Sequence, residues 1–257
     1  MWFISRITYF IVLYYLFTSS SALASLADTI DQIKPSIVGV GSYQVTRRPP
    51  AKLMGTGFVV AKGNYVITNS HVVPDDLDVE RKEELVVFIG SGKKAKHRSV
   101  KLVKRDRVHD LALLKVLDFQ LPAMSLGVMK QVREGNLYAF TGFPIGAVLG
   151  LYPVTHRGIV SAISPVAIPV SSTEQLDVKM IRRLQNPFNI IQLDATAYPG
   201  NSGSPLYDVK TGAVVGVINK VFIKETRESV LEKPSGITYA IPVKHVSDLL
   251  KNAGVTF

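Results

Sequence analysis

The chain predicts an all-β fold, and three observations carry that prediction. Short runs rich in Val, Ile and Leu recur from residue 36 to about 117, broken by Gly, Pro, Asn and charged clusters. The same pattern returns from about residue 137 to 242. Helical spacing is confined to one short stretch near each end of that region. Regularly spaced short strands with turn signals between them describe a sandwich or barrels, and periodicity alone does not choose between the two.

Taken in order, the chain opens with Arg6, an apolar run from Ile7 to Phe17, and a small polar stretch ending Ala22-Leu23-Ala24. A positive start, a short apolar core and an Ala-x-Ala end describe a secretory leader, cut after Ala24. The run is shorter than the ~20 residues that a membrane-spanning helix needs. Residues 25–33 have the spacing of one short helix. Residues 55–60 and 65–73 are apolar runs flanking Gly63-Asn64, which reads as a hairpin. Later runs at 136–141, 157–163, 190–193, 213–219 and 236–241 read as further strands. Val243, Val246, Leu249 and Leu250 line one face of a helix that Gly254 ends. Two stretches, 165–189 and the charged 222–235, are too long for simple turns and read as surface loops.

Removing the leader leaves about 230 residues, enough for one or two compact domains. There are no cysteines, so neither a thiol nucleophile nor a thiolate metal site is available. No histidine pair has ligand spacing, and no cofactor motif is present. The net charge is +10, but the basic residues are scattered through 93–94, 101–107 and 179–183 without interleaved aromatics. That describes a solvated positive surface rather than a nucleic-acid groove.

The chemistry concentrates in Gly200-Asn201-Ser202-Gly203-Ser204-Pro205-Leu206. A serine between glycines sits on a tight turn, and such a turn gathers backbone N–H groups around a place where an oxyanion can form. A serine nucleophile needs a base, and the base needs an orienting acid. His71 stands just past the second run of the hairpin, where a strand ends. Asp106 and Asp110 both lie near the Leu111-Ala112-Leu113-Leu114 run, Asp110 directly before it. Of the other histidines, His97 and His245 fall in polar stretches that read as exposed. His109 adjoins Asp110 but points to the opposite face, and His156 is a candidate lining of a pocket in the second half.

With these residues in view, the chain resembles the trypsin-like serine peptidases, and most closely the HtrA/Deg-type bacterial branch. The matching words are T-N-S-H-V-V, D-L-A-L-L-K-V, G-F-P-I-G, G-I-V-S-A-I, I-Q-L-D-A-T-A-Y-P-G-N-S-G-S-P-L and G-I-T-Y-A-I-P, in the family's order across residues 55–242. The resemblance implies two six-stranded antiparallel β-barrels, at about 34–119 and 135–242, with residues 120–134 crossing between them and a short helix at 243–253. It implies a site in the cleft, with Ser202 as nucleophile, His71 as base, Asp110 as orienting acid, and the N–H groups of Gly200 and Ser202 as the oxyanion hole. Thr196 falls at the base of the primary pocket, with Asn219, Lys220 and Val221 on its walls. Without an acid at Thr196, small or medium apolar side chains are the expected substrates rather than Lys or Arg. Ser204 stands where the family usually has glycine. The expected activity is an exported, periplasmic or secreted serine endopeptidase acting on polypeptides, with no cofactor, no metal and no nucleic-acid partner. The alternative on the same fold is a dormant, chaperone-like polypeptide-binding module. Relatives of this kind commonly form trimers, so a homo-oligomer is expected, and commonly continue into PDZ domains, none of which is expected before the last residue, Phe257.

Overall fold

Runs that are apolar at successive positions, not merely alternate ones, must bury both faces of a strand. The structure, a computed structural model, describes residues 25–144, 150–165, 187–219 and 236–257, and shows where those faces go. Strands β1 (Ile37–Tyr43), β2 (Ala51–Val60), β3 (Tyr65–Asn69), β4 (Glu84–Ile89), β5 (Lys96–Asp106) and β6 (Leu111–Val116) close into one barrel in the order 1-2-3-6-5-4. Strands β7 (Leu137–Gly142), β8 (Val154–Pro165), β9 (Asn189–Asp194), β10 (Pro205–Asp208), β11 (Val214–Asn219) and β12 (Ile237–Pro242) close into a second, with the same circuit. Every pairing between them is antiparallel. The hairpin at Gly63-Asn64 forms as expected, with Phe58 opposite Ile67 and Val60 opposite Tyr65.

Among the described residues, three large apolar cores result, with a small fourth cluster at Phe188 and Ile190. Val38, Val40, Val59, Val66, Ala112 and Leu114 fill the first barrel. Tyr138, Phe140, Ile191, Leu193, Leu206 and Ile218 fill the second. The alternate residues of the same strands face outward into a seam between the barrels, where Phe58, Ile67, Leu111 and Leu113 meet Phe143, Tyr207 and Val217. Burying a side chain of this size is worth about 1.5–3 kcal/mol. The contiguous Leu111-Ala112-Leu113-Leu114 run is thus explained, because β6 has a barrel on one side and the seam on the other.

Two helices lock the seam. In α1 (Leu26–Ile33), Ser25 and Asp28 form a reciprocal capping box, with Asp28 N donating to Ser25 Oγ (3.2 Å) and Ser25 N to Asp28 Oδ2 (3.0 Å). Thr29 Oγ1 donates to Val209 O of the second barrel (2.9 Å), and Ile33 enters the seam. In α2 (Val243–Asn252), Val243, Val246, Leu249 and Leu250 are buried against both barrels. The crossing segment is tied to each barrel in turn, Met124 N donating to Val59 O (2.9 Å) and Gly127 N to Val214 O (2.8 Å).

The leader, Lys220, Val221, and most of the two long stretches lie outside the described residues. The expectation that His97 and His245 are exposed is not met. His97 is partly buried and stacks on Tyr43, ring centroids 4.1 Å apart. His245 is half-buried on the seam side of α2, stacked on His109 at 3.8 Å. Both histidines lie on amphipathic elements whose polar neighbours mask the face they occupy.

Burial, and then the charge of His109, hold His245 well below the ordinary histidine range, at about 4. The unfolded chain therefore takes up a proton between about pH 6.5 and pH 4 that the folded chain refuses. Stability is complete above that window and declines as the pH falls through it. Calorimetric melting of the wild type should show Tm dropping from pH 7 to pH 4.5, and His245→Phe should flatten that drop. Parallel curves for the two proteins would refute this source of acid sensitivity.

Candidate functional site

The site grows where β3, the β5–β6 turn and the β10 entry meet across the seam. His71 sits in a single 3-10 turn (Ser70–Val72) that ends β3. Asp110 is the last residue before β6 and adopts φ +53°, a left-handed conformation rare for a residue with a side chain. Four neighbours hold it there. Ser70 N (3.0 Å) and Asn69 Nδ2 (3.1 Å) donate to its carbonyl, while its carboxylate accepts from His71 N (2.9 Å) and from Asn219 Nδ2 (2.8 Å). The same carboxylate lies 2.6 Å from His71 Nδ1. Nδ1 is thereby fixed as the protonated nitrogen facing the acid, which leaves Nε2 free to take a proton. The Asp110 side chain is 9 % exposed and that of His71 33 %, so the pair has a buried acid and an accessible imidazole.

Ser202 enters from the second barrel and is 6 % exposed. Its turn is docked onto Thr56 of β2. Thr56 N donates to Ser202 O (2.9 Å) and Thr56 Oγ1 to Gly200 O (2.7 Å), while Thr56 Oγ1 accepts from Phe143 N (3.0 Å). Within the turn, Asn201 N donates to Tyr198 O, Gly203 N to Ile218 O and Ser204 N to Asn201 O, at 2.9–3.0 Å. Among the described residues, the N–H groups of Gly200 and Ser202, the two donors expected to face an oxyanion, make no such bond.

The structure pairs His71 with Asp110 and docks the Gly200–Ser202 turn on Thr56 of the same barrel. Asn219, expected on a pocket wall, is 1 % exposed and turns its amide to Asp110. Thr196 lies, partly exposed, in the stretch between β9 and Ser202, next to Ala195, whose carbonyl accepts from Thr238 Oγ1 (2.6 Å). His156 stacks on Phe140 at 5.0 Å, and burial lowers its pKa. Asp106, the other acid considered for His71, pairs with His109 instead, 2.6 Å from its Nδ1. Sequence reasoning did not single out Thr56, although the glycines on either side of it in Gly55-Thr56-Gly57 signal a close backbone approach.

Comparison with known proteins gives a consistent result. The family model of the trypsin-like peptidase domain matches residues 55–217. A probable periplasmic serine endoprotease, DegP-like, of Halomonas elongata is 31% identical over 204 residues, covering 78% of this chain and 36% of the relative. One of the same description from Pseudomonas putida (strain ATCC 700007 / DSM 6899 / JCM 31910 / BCRC 17059 / LMG 24140 / F1) is 34% identical over 215 residues, covering 81% and 37%. The chain thus spans a little over a third of the length of these relatives. Among solved structures, the HtrA-type protease AlgW with a decapeptide has a TM-score of 0.65 at 24% identity, covering 90% of this chain and 67% of that one. The serine endoprotease from Yersinia pestis has a TM-score of 0.62 at 23% identity, covering 90% and 66%. At these identities the structural likeness speaks for the fold.

The docking of the Ser202 turn on Thr56 can be tested without any assay of activity. Gly203 has φ +88°, and a Cβ there would lie 2.0 Å from Thr56 O. Gly135 has a similar φ of +83° but faces open space. Gly135→Ala should cost about 1 kcal/mol, the conformational term alone, whereas Gly203→Ala should cost at least about 2 kcal/mol more from the clash. Denaturant melts that find equal costs would show that the turn is not held against β2.

Proposed function

Because the chain belongs to the trypsin-like peptidase domain family, we propose that it is an exported serine endopeptidase that hydrolyses peptide bonds of polypeptides. The observation that carries the reading is the Asp110–His71 pair at 2.6 Å, buried acid behind accessible imidazole, beside a serine on a turn anchored to the same barrel.

In this reading Ser202 Oγ attacks the scissile carbonyl carbon. His71 Nε2 takes the hydroxyl proton and later gives it to the leaving amine. Asp110 holds Nδ1–H and stabilises the imidazolium. Hydrogen bonds of this kind tighten when substrate binds, which is where the Ser202–His71 contact closes. The negative oxygen of the tetrahedral intermediate accepts from Gly200 N and Ser202 N, each donor being worth about 3 kcal/mol. Asn219 donates to the carboxylate oxygen that faces Nδ1 and so fixes its direction. Thr196, without a charge, favours a small or medium apolar side chain before the scissile bond. Export rests on the leader-like residues 1–24 and on the periplasmic relatives.

One observation favours the dormant, polypeptide-binding alternative: among the described residues, His71 is hydrogen-bonded to Asp110 and not to the Ser202 hydroxyl. Labelling with a fluorophosphonate separates the two, since only an activated serine reacts.

Ser202→Ala should abolish labelling and lower kcat by a factor on the order of 10^6 while leaving the fold intact. Unchanged turnover would remove Ser202 from the mechanism. Asn219→Ala should lower kcat roughly tenfold to hundredfold, from the ~1.5–3 kcal/mol typical of a hydrogen bond to a charged group. A peptide library cleaved chiefly after Lys or Arg would contradict the assignment of Thr196.

A further inference from the structure

A second Asp–His pair lies on the opposite side of the turn that presents Asp110. Asp106 Oδ1 accepts from Val108 N and His109 N, both at 3.0 Å, and Asp106 Oδ2 is 2.6 Å from His109 Nδ1. Burial acts to raise the Asp106 carboxyl, but the side-chain and backbone bonds from His109, and its charge, outweigh burial and hold it below the ordinary carboxylate range. Asp106 is therefore an anion at neutral pH, and its bond to His109 is charge-assisted.

His109 is also gripped from the C-terminal helix and from the other barrel. His245 of α2 stacks on its ring at 3.8 Å with 20° between planes, and Phe188, just before β9, meets it edge-on at 4.7 Å. Phe188 meets His245 edge-on at 5.2 Å, so the three rings pack as a unit. The C-terminal helix is tied to β5 nearby, where Lys104 Nζ donates to Asn252 O (2.5 Å). The residue that follows His109 in the chain is Asp110, at φ +53°. A left-handed residue with a side chain persists only where its surroundings over-determine it. On one side that role falls to Ser70, Asn69, His71 and Asn219. On the other, the peptide enters from a residue that cannot turn without breaking the Asp106 bond and leaving the ring stack.

We propose that His109 is a positioning residue for the triad: held by Asp106 within its own barrel, by Phe188 of the other and by His245 of α2, it sets the backbone of Asp110 and hence the direction in which the carboxylate meets His71. The inference rests on the triad reading above. It assigns His109 no contact with substrate, so its removal acts on the chemical step and not on binding.

The test compares His109→Ala and His109→Asn with the wild type by steady-state kinetics on a peptide substrate and by proton NMR of the His71 Nδ1–H, which a short bond to carboxylate moves far downfield. His109→Ala should lower kcat about tenfold or more, in keeping with the sensitivity of catalysis to small misplacements. KM should stay within about twofold, and the downfield resonance should broaden or vanish. His109→Asn keeps an N–H donor near the position of Nδ1 and should restore most of both signals. The proposal is overturned if folded His109→Ala keeps wild-type kcat, or if His109→Asn restores nothing. Should His109→Ala fail to fold, His245→Leu, which removes only the stacked ring, should lower kcat about threefold at constant KM, and unchanged kcat there overturns the proposal equally. Wild-type labelling of Ser202 by a fluorophosphonate, run in parallel, separates the two readings. Without labelling the triad itself fails; with labelling and unaltered kcat, only the role of His109 fails.

Discussion

Each barrel carries half of the constellation, so the packing of one barrel on the other governs the rest of the structure. His71 and Asp110 come from the first barrel, Ser202 and Asn219 from the second. The seam that joins them is apolar, built from Phe58, Ile67, Leu111, Leu113, Phe143, Tyr207 and Val217 and sealed by α2. Apolar contact is non-directional and sets no register by itself. Register comes from the few polar groups buried along the seam, because a buried donor or acceptor left without a partner costs about 1–3 kcal/mol. Thr56 uses its N–H and its hydroxyl there, while its carbonyl, accepting from Thr68 Oγ1 at 2.7 Å, is held within its own barrel. Asn219 crosses the seam to reach Asp110. Sliding the barrels by the width of one residue would strand the Thr56 N–H and hydroxyl and the Asn219 amide at once.

The same logic explains how the acid of the site is selected. Asp106 and Asp110 are four positions apart and bracket one turn, yet they serve different histidines. The left-handed backbone at Asp110 aims its carboxylate at His71 and Asn219, while Asp106, at the end of β5, closes back on the turn itself. Spacing along the chain does not separate these outcomes; the reversal of chain direction between them does.

Much of this was legible in the sequence. The hairpin at Gly63-Asn64, the short first helix, the amphipathic last one and the strands whose runs could be bounded in advance follow from local pattern and turn chemistry, and these appear within a few residues of their expected ends. His71 and Asp110, which the structure pairs, and Ser202 were legible as candidates because each stands near a strand boundary in a distinctive word. What local pattern could not supply were contacts made across the seam. Asn219 reads as a pocket residue until β11 is placed against the β5–β6 turn, and His245 reads as exposed until α2 is laid over both barrels. Thr56 looks like an ordinary strand threonine, and its importance arises only when the Ser202 turn is brought within hydrogen-bond distance of it.

The central claim is that docking of the barrels assembles Ser202, His71 and Asp110 into one catalytic unit facing two backbone donors. A crystal structure of the protein after reaction with a fluorophosphonate tests it most directly. The account predicts phosphorus bonded to Ser202 Oγ, a phosphoryl oxygen accepting from the N–H groups of Gly200 and Ser202, and Asp110 still bridging His71 and Asn219. An adduct on another residue, or an Asp110 carboxylate turned away from His71 in the adduct, would contradict it.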